Sequence, residues 1–245
     1  MRVDFVIGGT QKGGTSALDS FLRQHPEICM PQTKKELHFF DREADNTEYK
    51  KYHANFKPKP EQRVIGEASP IYMYWETAPY RIWKYNPKMK WILALRNPVE
   101  RAFSAWNMET KRGKEKLPFA EAIEKEAERC QEVLPLQHRV YSYIDRGFYA
   151  HQVRRLFNIF GTGNCLILLS EELRSEHQKT LRRVFEFLAV DSSFVPPEAN
   201  IFEQEYADKI DNHLRSRLRD IFYFDIKELE KLLGRDLSNW YDKKL

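Results

Sequence analysis

Cysteine is scarce in this chain. Three residues among 245, Cys29, Cys130 and Cys165, stand far apart. The count is odd and low, so no disulfide framework is expected, and no C-x-x-C or Cys/His cluster has zinc spacing. Long hydrophobic runs are lacking as well. No apolar stretch approaches the roughly 20 residues of a membrane-spanning helix. The apolar part of "MRVDFVIGG" is too short for a secretion signal and runs straight into glycine. A large excess of one charge is also missing. Forty basic and 36 acidic side chains leave +4, too little for a nucleic-acid-binding surface but compatible with a local basic pocket for an anion. There is no internal repeat, and "FKPKPEQ" (Phe56–Gln62) reads as a proline-spaced loop, not a domain boundary. The expectation is one domain over residues 1–245, cytoplasmic provided that no longer precursor was trimmed. No nucleic-acid partner and no membrane span are expected, and oligomeric state leaves no mark in the sequence.

What is present is an alternation of strand and helix signals. Apolar residues make up 42% and charged residues 31%, as suits a globular chain. "VDFVIGG", "RVIGEAS", "KWILALR" and "NCLILLS" read as short buried strands. Between and after them, helices are predicted over Ser16–Gln24, Glu76–Tyr85, Pro98–Lys111, Phe119–Cys130, Tyr149–Phe160, about Gln178–Ala189 and about Tyr206–Leu233. In the sixth, Leu181, Val184, Phe185 and Leu188 mark one buried face. The fold class is therefore α/β: a mainly parallel central sheet flanked by helices, like that of P-loop nucleotide hydrolases, with a helical C-terminal part. Ligands of such sheets sit beyond the carboxyl ends of the strands.

The first strand ends in "GGTQKGGTS". Glycines there let the backbone turn tightly and aim N–H groups at an anion, and the following helix adds its positive N-terminus. Thr15 and Ser16 supply hydroxyls, and Lys12 a full charge. The plainer reading, an ordinary turn with a surface lysine, is weakened because strand, Lys-Gly-Gly-Thr-Ser and helix occur together. Yet the lysine precedes the glycine pair, whereas a Walker A loop has G-K-[ST]. The strand "KWILALR" also ends in Arg96, where a nucleoside triphosphatase holds a metal-binding acid. Glu171, after "CLILLS", means that a metal site is weakened rather than excluded.

Eight residues beyond Arg96, about two turns into the next helix, lies Ser104 in "RNPVERAFS". Alone, each residue reads as structural, Arg96 in an ion pair and Ser104 facing the core. Together, "KGGTS" at Lys12–Ser16 and "RNPVERAFS" at Arg96–Ser104 resemble two motifs of the sulfotransferases that use 3′-phosphoadenosine 5′-phosphosulfate (PAPS). The resemblance covers most of the chain and is strictest in its first half. It implies that Gln11, Lys12, Gly13, Gly14, Thr15 and Ser16 hold the 5′-phosphosulfate, and that Arg96 and Ser104 hold the 3′-phosphate. It further implies that Lys12 stabilises the leaving phosphate, that 3′-phosphoadenosine 5′-phosphate (PAP) is the product, and that no metal is needed.

Transfer to a hydroxyl or amine requires a base. "TKKELHFFD" (Thr33–Asp41) resembles the K-E-P-H-F-F segment of the heparan sulfate N- and 3-O-sulfotransferase branch, with Leu37 in place of proline. The resemblance implies Glu36 as base, with Lys35 near the sulfate or acceptor. The plainer reading of Glu36 is a solvated charge beside two lysines. His38, more readily read as a packed histidine, stands in reserve. "GEASPIYMYW" (Gly66–Trp75) resembles the branch's acceptor-side segment, which implies that Glu67, Ser69 and Tyr72 contact the acceptor; strand-end packing is the plainer alternative. "DRGFYAHQVRRLF" resembles a helix start of the family, with Gly147 allowing a tight approach and Tyr149 packed or near the site. The family's late basic loop has no copy here, and the acidic "PPEANIFEQEY" stands in its place. The paired C-terminal cysteines of the Golgi relatives are missing, which fits a cytoplasmic enzyme. The acceptor class is open among saccharide, lipid, peptide and small metabolite. The competing readings are a P-loop kinase or nucleoside triphosphatase, and a non-catalytic nucleotide-binding module.

Overall fold

The four apolar runs form strands, and a fifth, very short strand joins them. In the computed structural model, which describes residues 1–42, 48–197 and 210–242, the strands are β1 (Phe5–Gly9), β2 (Ile28–Cys29), β3 (Val64–Ala68), β4 (Lys90–Leu95) and β5 (Cys165–Leu169). They make a single parallel sheet of five strands among the described residues, in the order β2-β3-β1-β4-β5. From β1 the chain runs to the edge strand β2, returns to β3 beside β1, and then crosses to β4 and β5 on the other side. The carboxyl ends flanking β1 thus mark the point where strand order reverses.

The chain divides into two compact units, Met1–Arg96 with Arg155–Glu203, and Asn97–Arg154 with Gln204–Leu245. The first holds the sheet. Its helices are α1 (Thr15–Gln24), α2 (Tyr49–His53) and α3 (Ala78–Tyr85), and in the second stretch α8 (Ser170–Ser175) and α9 (His177–Leu188). One core packs Phe5 and Ile7 of β1, Ile92 and Ala94 of β4 and Leu168 of β5 against Leu18, Phe21 and Leu22 of α1 and Leu181, Val184, Phe185 and Leu188 of α9. The i, i+3, i+4, i+7 stripe read in the sequence is this buried face.

The second unit is helical: α4 (Pro98–Lys111), α5 (Phe119–Glu124), α6 (Glu126–Gln131), the start of α7 (Tyr149–Phe160) and α10 (Asn212–Leu233). Pro98 occupies the first turn of α4, and the Asn97 side chain accepts a hydrogen bond from Val99 N at 3.0 Å, so the sequence R-N-P sets that helix start. The predicted single helix over Phe119–Cys130 is interrupted at Lys125 into α5 and α6. Gly147 is needed for space. A Cβ there would lie 2.6 Å from the Phe222 ring of α10. Tyr149 is buried and packed. Gly234, at φ 61°, ends α10 in the left-handed conformation, and Trp240 is buried behind it.

Candidate active site

The turn after β1 is built for close approach. Thr10 N donates to Ala94 O at 3.0 Å, and Gly13 N to Thr10 O at 2.9 Å. A Cβ on Gly13 would fall 1.9 Å from Ala94 O, so this position admits only glycine without movement. Lys12 has φ 71° and Gly14 φ 106°. Lys12 thus holds a left-handed backbone that non-glycine residues adopt rarely, a kind of strain found at ligand-binding turns. Gly14 caps α1, with no side-chain hydrogen bond at the cap and no acidic residue in the first turn. The first N–H groups of α1 and the hydroxyls of Thr15 and Ser16 therefore form a donor set suited to a phosphate or sulfate.

The predicted base segment reaches this turn. Lys35 Nζ donates to Ser16 Oγ at 2.8 Å and lies 3.4 Å from Thr15 Oγ1. Burial lowers the amine's pKa below the usual lysine range, partly offset by Glu36 and Asp19. Glu36 Oε1 is 3.9 Å from that amine, and Glu36 Oε2 is 3.2 Å from His38 Nε2. The other ring nitrogen of His38 is 3.0 Å from Asp41 Oδ2. Asp41, which the sequence reading did not single out, is fully buried, whereas Glu36 is 38% exposed. Hydrogen bonds from the His38 ring, to Asp41 first and then to Glu36, raise its pKa to about 9. That direction favours the protonated imidazole beside the Glu36 carboxylate.

Glu67, Ser69 and Tyr72, read from sequence as acceptor contacts, are each 0% exposed. Tyr52 OH, Ser69 Oγ and Tyr72 OH donate to the Glu67 carboxylate at 2.7, 2.7 and 3.1 Å. In this arrangement all three side chains are buried around the Glu67 carboxylate. The sequence places the segment just past β3. The register decides the direction: Glu67 pairs with Val6, alternating with Ala68 of the α1 and α9 core. Tyr52, on the short helix α2, gave no sequence signal.

Arg96 follows β4, and its guanidinium lies 3.4 Å from Lys12 O. The first unit thus brings together the turn, Lys35, Glu36, His38 and Arg96. Ser104 belongs to the second unit, where it is fully buried in α4. Arg155, part of a basic helical face that reads in sequence as solvated surface, instead donates to Met73 O at 2.6 Å, bracing the segment after β3. Glu171 lies in the first turn of α8. Most of "PPEANIFEQEY" lies outside the described residues, as does the predicted helical stretch Tyr206–Lys209.

A parallel sheet with a glycine turn and a helix N-terminus after its central strand, and a cationic residue after the next, suits a protein that handles phosphoryl or sulfuryl groups. Comparison with known proteins fixes which. The family described as the sulfotransferase domain matches residues 2–218. The chain is 30% identical over 214 residues to the bifunctional heparan sulfate N-deacetylase/N-sulfotransferase 4 of Mus musculus, an alignment covering 82% of this chain and 24% of that protein. It is 31% identical over 189 residues to the heparan sulfate glucosamine 3-O-sulfotransferase 3A1 of Mus musculus, covering 76% and 45%. It thus spans less than half the length of these relatives. Among solved structures, a sulfotransferase from Alicyclobacillus acidocaldarius superposes with a TM-score of 0.87 at 32% identity, covering 99% of this chain and 100% of that one. The chain belongs to the sulfotransferase family, and the heparan sulfate N- and 3-O-sulfotransferases are among its relatives.

Proposed function

We propose that this sulfotransferase takes the sulfuryl group from PAPS and delivers it to a hydroxyl or amine of a saccharide, with Glu36 as base and Lys12 as the cation on the leaving phosphate. The observation that carries this reading is the hydrogen bond from Lys35 to Ser16 at 2.8 Å. It ties the segment bearing Glu36 to the anion-binding turn, so that a proton acceptor lies beside the place where a phosphosulfate fits.

The residues present suit the donor. The glycine turn, the start of α1 and the hydroxyls of Thr15 and Ser16 offer donors, and Lys12 and Lys35 add charge. When bound, PAPS supplies a sulfuryl group already linked to a good leaving phosphate. Lys12 balances charge that grows as the group departs, an electrostatic contribution of the kind worth roughly 10²–10³ in rate for a single donor. Glu36 removes the acceptor proton, and His38, held by Asp41, keeps the carboxylate aimed outward. Arg96, just past β4, serves the 3′-phosphate. The saccharide class is supported by the heparan sulfate enzymes among the relatives. A cytoplasmic location is part of the proposal, supported by three free thiols, two of them only partly buried, and is checked by cell fractionation.

The test is Glu36→Gln, which removes the base and preserves shape. Turnover of PAPS is expected to fall at least about 10²-fold, with calorimetric affinity for PAP unchanged. Full activity in the variant would remove Glu36 from the reaction.

A further inference from the structure

His38 has φ 52°, a left-handed backbone that is uncommon for a residue with a side chain. This residue's ring nitrogen meets Glu36 at 3.2 Å, so the geometry of the base depends on what holds its main chain. Three successive backbone N–H groups answer that question. His38 N is 3.5 Å from Ser69 Oγ, and Phe39 N and Phe40 N are 3.0 and 3.5 Å from Tyr72 OH.

A hydroxyl carries one proton and accepts through its lone pairs. Ser69 and Tyr72 spend that proton on Glu67, at 2.7 and 3.1 Å. Their lone pairs are then left to face the N–H groups of 38–40. A carboxylate only accepts, so it fixes the direction of every bond in the relay. Tyr52 donates to the same carboxylate at 2.7 Å, but its hydroxyl does not bridge to the loop backbone. Its ring stacks on Phe39 with centroids 4.6 Å apart. Glu67 itself is fully buried, and burial raises its pKa against the lowering effect of the three hydroxyl donors. A buried acid surrounded by donors is costly to keep unless its hydrogen bonds do something apolar packing would not.

We propose that Glu67 is a positioning residue for sulfuryl transfer. By orienting the hydroxyls of Ser69 and Tyr72, it locks the main chain of His38–Phe40 in its left-handed turn, and so holds His38 and Glu36 in their reactive arrangement. The inference rests on the reading of Glu36 as base.

The test is a set of three variants of the full chain. Glu67→Gln puts a donor where only acceptors fit, Tyr72→Phe removes the hydroxyl bridging to the loop, and Tyr52→Phe removes a hydroxyl that does not. Misplacing reacting groups by about 1 Å costs on the order of 10²-fold in rate. Glu67→Gln and Tyr72→Phe are each expected to lower kcat by roughly 10- to 10²-fold, with PAP affinity and the KM for PAPS kept within about twofold. Tyr52→Phe is expected to keep kcat within a few-fold. The His38 ring resonances, followed by NMR, are expected to titrate at lower pH in Glu67→Gln and Tyr72→Phe than in the parent. Should Glu67→Gln fail to fold, the Tyr72→Phe and Tyr52→Phe pair decides alone. Equal kcat losses in those two, or unchanged kcat and His38 titration in Tyr72→Phe, would overturn the proposal. The two readings fail differently. An active Glu36→Gln with a shifted His38 titration in Tyr72→Phe removes Glu36 as base but keeps the positioning relay. An inactive Glu36→Gln with that titration unmoved keeps the base and removes the relay.

Discussion

Gly13→Ala is the sharpest steric test of the anion-binding turn. The added Cβ would lie 1.9 Å from Ala94 O and 3.0 Å from both Ala94 C and Thr10 Cγ2, whereas real Cβ contacts stay beyond 3.0 Å. The turn or β4 must therefore give way by about 1 Å, because the obstacle is backbone rather than a flexible side chain. The oxygen being struck is also the acceptor for Thr10 N at 3.0 Å, so the movement strains the bond that fastens the turn to the sheet. Overpacking of this kind costs about 1–3 kcal/mol of stability. A shift of ~1 Å in the N–H groups of residues 13–16 is expected to cost about 10²-fold in kcat/KM for PAPS, close to 2.7 kcal/mol of transition-state stabilisation. Steady-state kinetics with varied PAPS, beside a thermal melt, reads both numbers. Gly163→Ala is the control, since its Cβ would meet nothing within 4 Å, and it is expected to change neither. Parent-like kcat/KM in Gly13→Ala would refute the reasoning that this turn is fitted to the donor.

Three further outcomes are expected. His38 has its pKa raised from 6.5 to about 9, so the stability contributed by its imidazolium is complete below the ordinary pKa and is lost as pH rises through about 9. kcat should decline over the same upper limb, and Asp41→Asn should move that decline to lower pH, whereas a rate that climbs through pH 9 would restore His38 as base. Asp225 of α10 accepts from Tyr149 N at 2.7 Å and from Ala150 N at 3.2 Å at the start of α7; Asp225→Ala is expected to cost about 0.5–2 kcal/mol in chemical denaturation, and an unchanged midpoint would contradict the capping role. Gly66→Ala would drive a Cβ to 2.1 Å from the Phe5 ring, so it is expected to lower stability by about 1–3 kcal/mol, read by the same method, while Phe5→Leu in the same chain recovers part of the loss.

The parts of the fold that sequence makes legible are those with a local cause. β1, β3, β4 and β5 are apolar runs ended by glycine, serine or arginine, and α4 starts at Pro98 because R-N-P admits little else. β2 has two residues and pairs with β3, so its cause is a neighbour rather than its own composition. α2 and α8 are too short for a helical period to be read. The site divides in the same way. Lys12, Gly13 and Gly14 carry their chemistry in a contiguous turn. Glu67, Ser69 and Tyr72 sit where the sequence puts them, at and just past the end of a strand, but their direction depends on sheet register, and all three are buried on the face opposite Ala68 or beyond it. Asp41 passes as one acid among many until the turn at His38 brings the two within 3.0 Å.

The most direct test of the central claim follows PAPS labelled in its sulfuryl group through the parent protein and Glu36→Gln, with saccharide acceptors supplied. The expected result is release of PAP matched by label in the saccharide with the parent, and PAP binding without transfer in the variant. Failure of the parent to bind PAP, with turnover of ATP in the presence of Mg²⁺ instead, would contradict the account.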